Sequence, residues 1–510
     1  MPAGPLMSID RALRFWARDR PNQRAIQVSR DELDYAALDT WVGTVAASLA
    51  GRGVAPQSRV AFYADSSLEW CVAALAAIRC GAIVAPINAK MVAEEVAYLL
   101  GRYEPVAIFV DPEGAARLAA GGLIGAPDSP PAITRAEVAA LRGAPPRDVA
   151  PGIDPEAPAA IITTSGSTAR PKGVVYSSRA MIEYAFEETV HNAPDLMGEP
   201  QRLLTTAPLS TAGGFNLMIH CVVTGASVHL PAQFDPQEAL DTLIRERINT
   251  FRASPIFFQR IAALPGFATA DLSHVRVCTI GGAPPPPGLL EAWWARGVTL
   301  RQLYGQTEAG GGITINPRRY ARTDPDRCGH GGPLTEIRIV DEHGRDVPPD
   351  TPGQILARKP GMMSGYWRDP DETAKAIIDG WLHTGDIGEV DARGLLRMRD
   401  RMKDIIKSGG LNISSAELER VILEAEGVAE VAIIAVPDDR FGETPFAIVH
   451  GPSCEPAAIL AHCRARLSSY KLPRYIHVAP APLPRLAMGK ISKPALRREW
   501  ADRPLPAPLR

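Results

Sequence analysis

Apolar and polar positions along the chain switch between two periods. Leu68–Arg79 and Val92–Leu100 carry apolar residues at helical spacing, and each precedes a short run suited to a strand, Ala82–Pro86 and Val106–Val110. Such alternation predicts an α/β architecture with largely parallel strands. The longest apolar stretch, Trp70–Ile87, is broken by Arg79, Gly81 and Pro86. It reads as a buried helix, a turn and a buried strand, not as a membrane span. No internal repeat of about 20–50 residues is visible. The Pro-rich segment Gly143–Pro158 leads into the apolar run Ala159–Ile162 and reads as a surface crossing between subdomains. From about Arg358 the texture becomes turn-rich and charged, with GYWRDPDET, DGWLHTGD and RDRMKDIIKSGG. Beyond Asn412 the pattern predicts helices at Glu417–Glu426, Ala457–Leu467 and Ala495–Trp500 and a strand at Val431–Val436. Together these form a small α+β unit of about 107 residues. The last ten residues, ADRPLPAPLR, read as frayed.

The length of 510 residues suggests three or four folding units. With 46% hydrophobic residues the chain can bury a large core, which excludes wholesale disorder. The net charge of −2 supplies no overall field for capturing nucleic acid or an anionic membrane. Seven cysteines (71, 80, 221, 278, 328, 454 and 463) form no CxxC pair. An odd count without paired spacing fits reduced thiols in a cytoplasm better than a disulfide framework or a zinc ribbon. The N-terminal segment has no uninterrupted apolar core, so no secretory signal is expected.

Three Gly-rich turns could carry chemistry. In the first, two apolar runs flank Thr164–Gly173, a loop of Thr, Ser, Gly, Pro and Lys. Small residues let backbone N–H groups converge on an anion, hydroxyls add donors, and Lys172 adds a point charge. The loop does not match GxxxxGK[ST], and on composition alone it is equally a polar hairpin. In the second, the strand-like run from Val277 ends in Gly281-Gly282-Ala283-Pro284, either a plain strand-to-helix turn or bare backbone for a planar ring. In the third, Tyr304-Gly305-Gln306-Thr307-Glu308 runs into Gly310–Gly312; Glu308 is a solvated or capping residue, or a ligand for Mg²⁺ shared with substrate phosphates.

TSGSTARPKG, YGQTE, HTGD, RMKDIIKSGGLNIS and MGKIS occur in that order over most of the chain. Together they resemble the adenylate-forming superfamily of acyl-CoA synthetases, aryl-CoA ligases, firefly-type luciferases and peptide-synthetase adenylation domains, most of all a free-standing bacterial acyl- or aryl-CoA ligase. The resemblance implies an α/β fold: a large N-terminal body of several subdomains, with mixed sheets sandwiching helices, and a small mobile α+β C-terminal domain. The boundary falls at residues 1–402 and 403–510, with a hinge at Lys403. It also implies activation of a carboxylic acid with ATP and Mg²⁺ to an acyl-adenylate, then transfer to CoA. By similarity, Thr164, Ser165, Gly166, Ser167, Thr168 and Lys172 cover the β- and γ-phosphates, and Thr164 and Glu308 organise the metal. Gly282, Ala283, Pro284 and Tyr304 frame the adenine, with Gly305, Gln306 and Thr307 alongside. Asp386 takes the ribose hydroxyls, with Arg401 nearby. Lys490 enters the site for adenylation, and Ser408, Gly409 and Gly410 replace it for the thiol step.

The chain departs from the family pattern at Ala169, where Gly is usual, at Asp400, and at Thr211, where His or an aromatic is common. The acyl pocket is expected near Tyr184, Thr211, Ala212, Gly213, Gly214, Phe215, Gly281, Gly310 and Gly311. Its small and apolar residues favour a hydrophobic acid, aromatic or medium-to-long aliphatic. Ser210–Asn216 lacks the Asp that would pair with an α-ammonium, which argues against an α-amino acid. Two alternatives stay open: an acyl-AMP ligase that loads a carrier-protein pantetheine, and a non-catalytic nucleotide-binding scaffold. No nucleic acid or membrane partner is expected, and a homodimer is left open.

Overall fold

The computed structural model describes residues 7–127, 129–145, 149, 154–164, 171–283, 285–286, 288–408, 411–486 and 489–509, without the side chains of Lys403 and Asn412. The long apolar run folds as its punctuation predicts. Ser67 caps the helix Leu68–Arg79 by accepting from the Trp70 N–H at 3.1 Å, and the strand Ile83–Ile87 follows the turn at Cys80-Gly81. Every residue of that helix is buried, including Arg79. A buried guanidinium needs partners, and Arg79 has two carboxylates, Asp10 and Asp39.

Two large sheets enclose such helices. One has eight strands; its six inner strands run parallel, from Leu300–Gln306 at one side to Arg24–Val28 at the other, with antiparallel edges at Gly311–Ile315 and Asp31–Asp34. The other has seven strands, five parallel between Pro158–Thr164 and Ala132–Thr134, then Lys172–Ser177 and Gly365–Tyr366 antiparallel. One apolar core joins the two sheets through the helices Tyr35–Gly51, Leu68–Arg79 and Ala212–Thr224. A third, antiparallel sheet of five strands includes Trp381–Val390 and Leu396–Arg401. A fourth sheet of five strands, with its own core, forms the C-terminal unit.

Two expectations need correction. Gly143–Pro158 does not cross between subdomains: it lies between strands Ala132–Thr134 and Pro158–Thr164 of the same sheet, although 146–148 and 150–153 fall outside the described residues. The C-terminal residues are not frayed either. The Leu509 N–H donates to the Arg474 carbonyl at 2.9 Å, and Leu505 and Leu509 rest on the small unit's two apolar clusters.

A short 3-10 turn, Met402–Asp404, separates the third sheet from the fourth. Asp400, 3% exposed, bridges across it. Its carboxylate accepts from Ser414 Oγ at 2.7 Å, from Ser415 Oγ at 3.3 Å and from the Ala416 N–H at 3.1 Å, all at the start of the helix Ser415–Leu423. Removing it leaves buried donors unpaired, a cost of about 1–3 kcal/mol. Asp400→Ala is therefore expected to lower the thermal unfolding midpoint. Glu342→Ala, at an exposed carboxylate, serves as the silent control in the same calorimetric scan.

Candidate active site

The polar loop is the turn of a hairpin: strands Pro158–Thr164 and Lys172–Ser177 pair antiparallel with Thr164 opposite Lys172. A hairpin and an anion cradle are thus compatible readings of one element. Ser165, Gly166, Ser167 and Thr168 lie outside the described residues. Thr164 Oγ1 is buried and has no hydrogen-bond partner among the described residues. Lys172 pairs with Glu372 and sits over the Tyr366 ring, 4.9 Å from its centroid. Hydrogen bonds from Lys172 and Lys375 hold the Glu372 carboxyl down at about 2. The Tyr366 hydroxyl donates to Glu308 Oε1 at 3.0 Å, so cation and carboxylate meet on one ring. Glu308 sits in the short turn Thr307–Ala309, where the Tyr176 hydroxyl donates to the Thr307 carbonyl.

A Mg²⁺ ion that travels with phosphates needs only one or two protein carboxylates. Glu308 and the unengaged Thr164 hydroxyl fit that need. Among the described residues no group of three or more His, Cys, Asp or Glu side chains could hold a metal by itself.

The second half of the site is built across strands. Asp386 on Trp381–Val390 lies opposite Arg401 on Leu396–Arg401. Asp386 is 4% exposed; its Oδ2 accepts from the Tyr304 hydroxyl at 2.8 Å, and Arg401 Nε is 3.3 Å from its Oδ1. Burial and the Asp386 charge push the Tyr304 hydroxyl pKa well up, so it stays a donor. Tyr304, expected against adenine, thus also orients Asp386.

Lys490 reaches this half from the C-terminal unit. Gly282 ends the strand Val277–Gly281 with φ +92°, and a Cβ there would lie 2.8 Å from Lys490 Cε. Only glycine suits both the left-handed backbone and the contact. On the lysine side, Gly489 takes φ +80° and fits against Ile256 of the N-terminal body. Desolvation first and the Arg401 charge second, opposed by Asp386, bring the Lys490 ammonium down to about 8. Ala283 adjoins Gly282 and is exposed, whereas Pro284 lies outside the described residues. Ser408 pairs with Leu411 and Gly442 inside the small sheet; Gly409 and Gly410 lie outside the described residues. The backbone of Lys403 sits in the turn Met402–Asp404.

The expected acyl-pocket residues divide. Thr211 caps the helix Ala212–Thr224: its hydroxyl donates to the Pro208 carbonyl at 2.8 Å and accepts from the Gly214 N–H at 3.3 Å. Ala212 is buried in the core, Gly213 is half-buried, and Gly214 turns tightly against Pro208. Phe215 corrects the expectation, for it is fully buried in the core against Trp70, ring centroids 6.1 Å apart. Gly281 lies against Leu303, Gly305 against Gly311, and Gln306 carries a buried Nε2 without a partner among the described residues. Gly310 and Gly311 turn against Tyr184, whose hydroxyl would be 3.0 Å from a Cβ at Gly311. Sequence reasoning missed Glu372 and Tyr366, although GYWRDPDET was noted as charged and turn-rich. It also missed Lys359, Glu187, Glu188 and Arg252, which no motif marks.

Residues 13–367 match the family described as AMP-binding enzyme. The chain belongs to that family. The enzyme also matches the C-terminal domain of AMP-binding enzymes over residues 417–490, a span that ends on Lys490. It is 34% identical to an indoleacetate–CoA ligase of Aromatoleum aromaticum, over 94% of this chain and 95% of that one. It is 33% identical to a feruloyl-CoA synthase of an Amycolatopsis species, over 95% and 97%. Its structure superposes on ATP-bound MatB from Rhodopseudomonas palustris with a TM-score of 0.86 and 28% identity, covering 97% of this chain and 99% of that one. Among the described residues no helix is long and apolar enough to cross a membrane.

A hydrogen bond to a charged group contributes about 1.5–3 kcal/mol. Tyr304→Phe and Asp386→Ala are each expected to weaken ATP binding about 10- to 100-fold, measured by titration calorimetry. Unchanged affinity in both would remove the pair from the nucleotide site.

Proposed function

We propose that the enzyme is an AMP-forming acid–CoA ligase. A substrate carboxylate oxygen attacks the α-phosphorus of ATP, the bond to the β-phosphate oxygen breaks, and pyrophosphate leaves. The sulfur of CoA then attacks the acyl carbon, loses its proton to solvent, and displaces AMP. The observation that carries this reading is Lys490, half-buried with its side chain against Gly282 and within electrostatic reach of Asp386 and Arg401. A cation there offsets repulsion between the carboxylate and the α-phosphate as they meet. Asp386, oriented by Tyr304, accepts from the ribose hydroxyls. Lys172 leaves Glu372 for the phosphates, and Glu308 with Thr164 would hold Mg²⁺, which supplies charge neutralisation when bound.

The body spans residues 1–402 and the moving domain 403–510, turning at Lys403. Asp400 holds the conformer that inserts Lys490, and the other conformer brings Ser408–Gly410 to the site for the CoA step. Relatives named for indoleacetate and ferulate support an aromatic or otherwise hydrophobic acid. Seven free cysteines, six of them buried, fit a reducing cytoplasm.

Acid-dependent pyrophosphate release, measured with and without CoA over a panel of acids, tests the reading as a whole. Lys490→Ala is expected to lose at least about 100-fold in that assay and to keep conversion of supplied acyl-AMP to thioester. Equal loss in both half-reactions would sink the division of labour. The charged lysine is the active form, so kcat/KM for adenylation should fall as pH rises through about 8. Lys490→Arg stays charged, so its profile should stay flat there.

A further inference from the structure

Behind the turn Gly310-Gly311 the enzyme holds a second, polar set of groups. Tyr184 stands between them: its ring lies against Gly311, and Lys359 Nζ sits 4.9 Å from the ring centroid. Tyr184, Glu187, Glu188, His191, Thr335 and Lys359 are among the residues that line a cavity of about 20 Å³, room for about one water-sized atom. Nearby, Arg252 and Glu188 already satisfy each other, with Arg252 also donating to the Tyr184 hydroxyl at 3.2 Å and to Thr279 Oγ1 at 3.0 Å.

Two groups on the cavity wall are left short. Glu187 is 6% exposed; its Oε1 accepts from the Thr335 hydroxyl, while its Oε2 has no partner among the described residues. Lys359 has one long hydrogen bond, to the Ala309 carbonyl at 3.4 Å, and among the described residues no carboxylate within ion-pair distance. Burial lowers its ammonium to about 8, with Glu187 and Glu188 opposing. Leaving the Glu187 carboxylate oxygen unfilled in a buried wall is costly, and the half-buried Lys359 ammonium on the same wall has donors to spare.

We propose that this cavity receives a hydroxyl group at the end of the acid remote from its carboxylate, donating to Glu187 and accepting from Lys359. A second carboxylate would be repelled by Glu187 and an ammonium by Lys359. A ketone would leave Glu187 without its donor, whereas a hydroxyl supplies both roles in one atom. The inference rests on the ligase reading, whose expected acyl pocket takes in Tyr184, Gly310 and Gly311; Tyr184 also lines this cavity.

The test uses matched acids with and without a terminal hydroxyl, such as cinnamate with 4-hydroxycinnamate and decanoate with 10-hydroxydecanoate. CoA-dependent AMP release is measured for each. The hydroxylated member should have a kcat/KM about 10- to 100-fold higher in at least one pair. Lys359→Met and Glu187→Met should collapse that ratio toward one, and Lys359→Arg should restore part of it. If the Met variants fail to fold, the wild-type ratio and Lys359→Arg still decide. A wild-type ratio near one in every pair, or a preference that survives both Met variants, would mean a structural water only and overturn the assignment. AMP release from plain acids alone would leave the ligase reading standing and sink this one. No AMP from any acid would sink both.

Discussion

Seating the Lys490 side chain against a bare glycine is the constraint on which the site depends. A lysine from one folding unit can reach the nucleotide side of another only where the receiving backbone has no side chain. Gly282 meets that condition at the end of a strand whose direction aims it at the cleft. The parallel order of the large sheet follows from the same need, since its strand ends converge where loops can form a site. The cost of desolvating the ammonium is partly offset by Asp386, which has its own donors in Tyr304 and Arg401. In the proposed ligase, nucleotide contacts, domain docking and catalytic charge would therefore share one electrostatic cluster.

The anionic half is organised differently. There a single ring, Tyr366, links a cation to the carboxylate Glu308 while a second carboxylate, Glu372, holds that cation in place. On the proposed reading a phosphate would displace Glu372 to gain Lys172. Until then the pair keeps that cation neutralised by an internal carboxylate.

Much of this was legible in the residues. The helix Leu68–Arg79 carries its own cap and stop, and Glu308, Asp386 and Lys490 stand inside ordered motifs. What was hidden has physical causes. The strand Gly442–His450 contains Pro445, which argues against a central strand. Yet its carbonyl accepts from the Arg474 N–H, so its missing N–H faces the side where the neighbouring strand begins only at Tyr475. Phe215 looked like a pocket residue because small residues surround it; helix rotation turns it onto Trp70. Lys359 and Glu187 are far apart in sequence and meet only through tertiary folding, so no local pattern could mark them.

The return of residues 501–509 across the small domain has a practical side. Because Leu509 is tied to Arg474 and Leu505 sits in an apolar seat, the chain end belongs to that domain's rigid frame. A fluorophore or spin label attached there would follow the frame closely and not wobble on a tether. The segment 501–509 is thus a built-in mounting point from which the orientation of the small unit can be read.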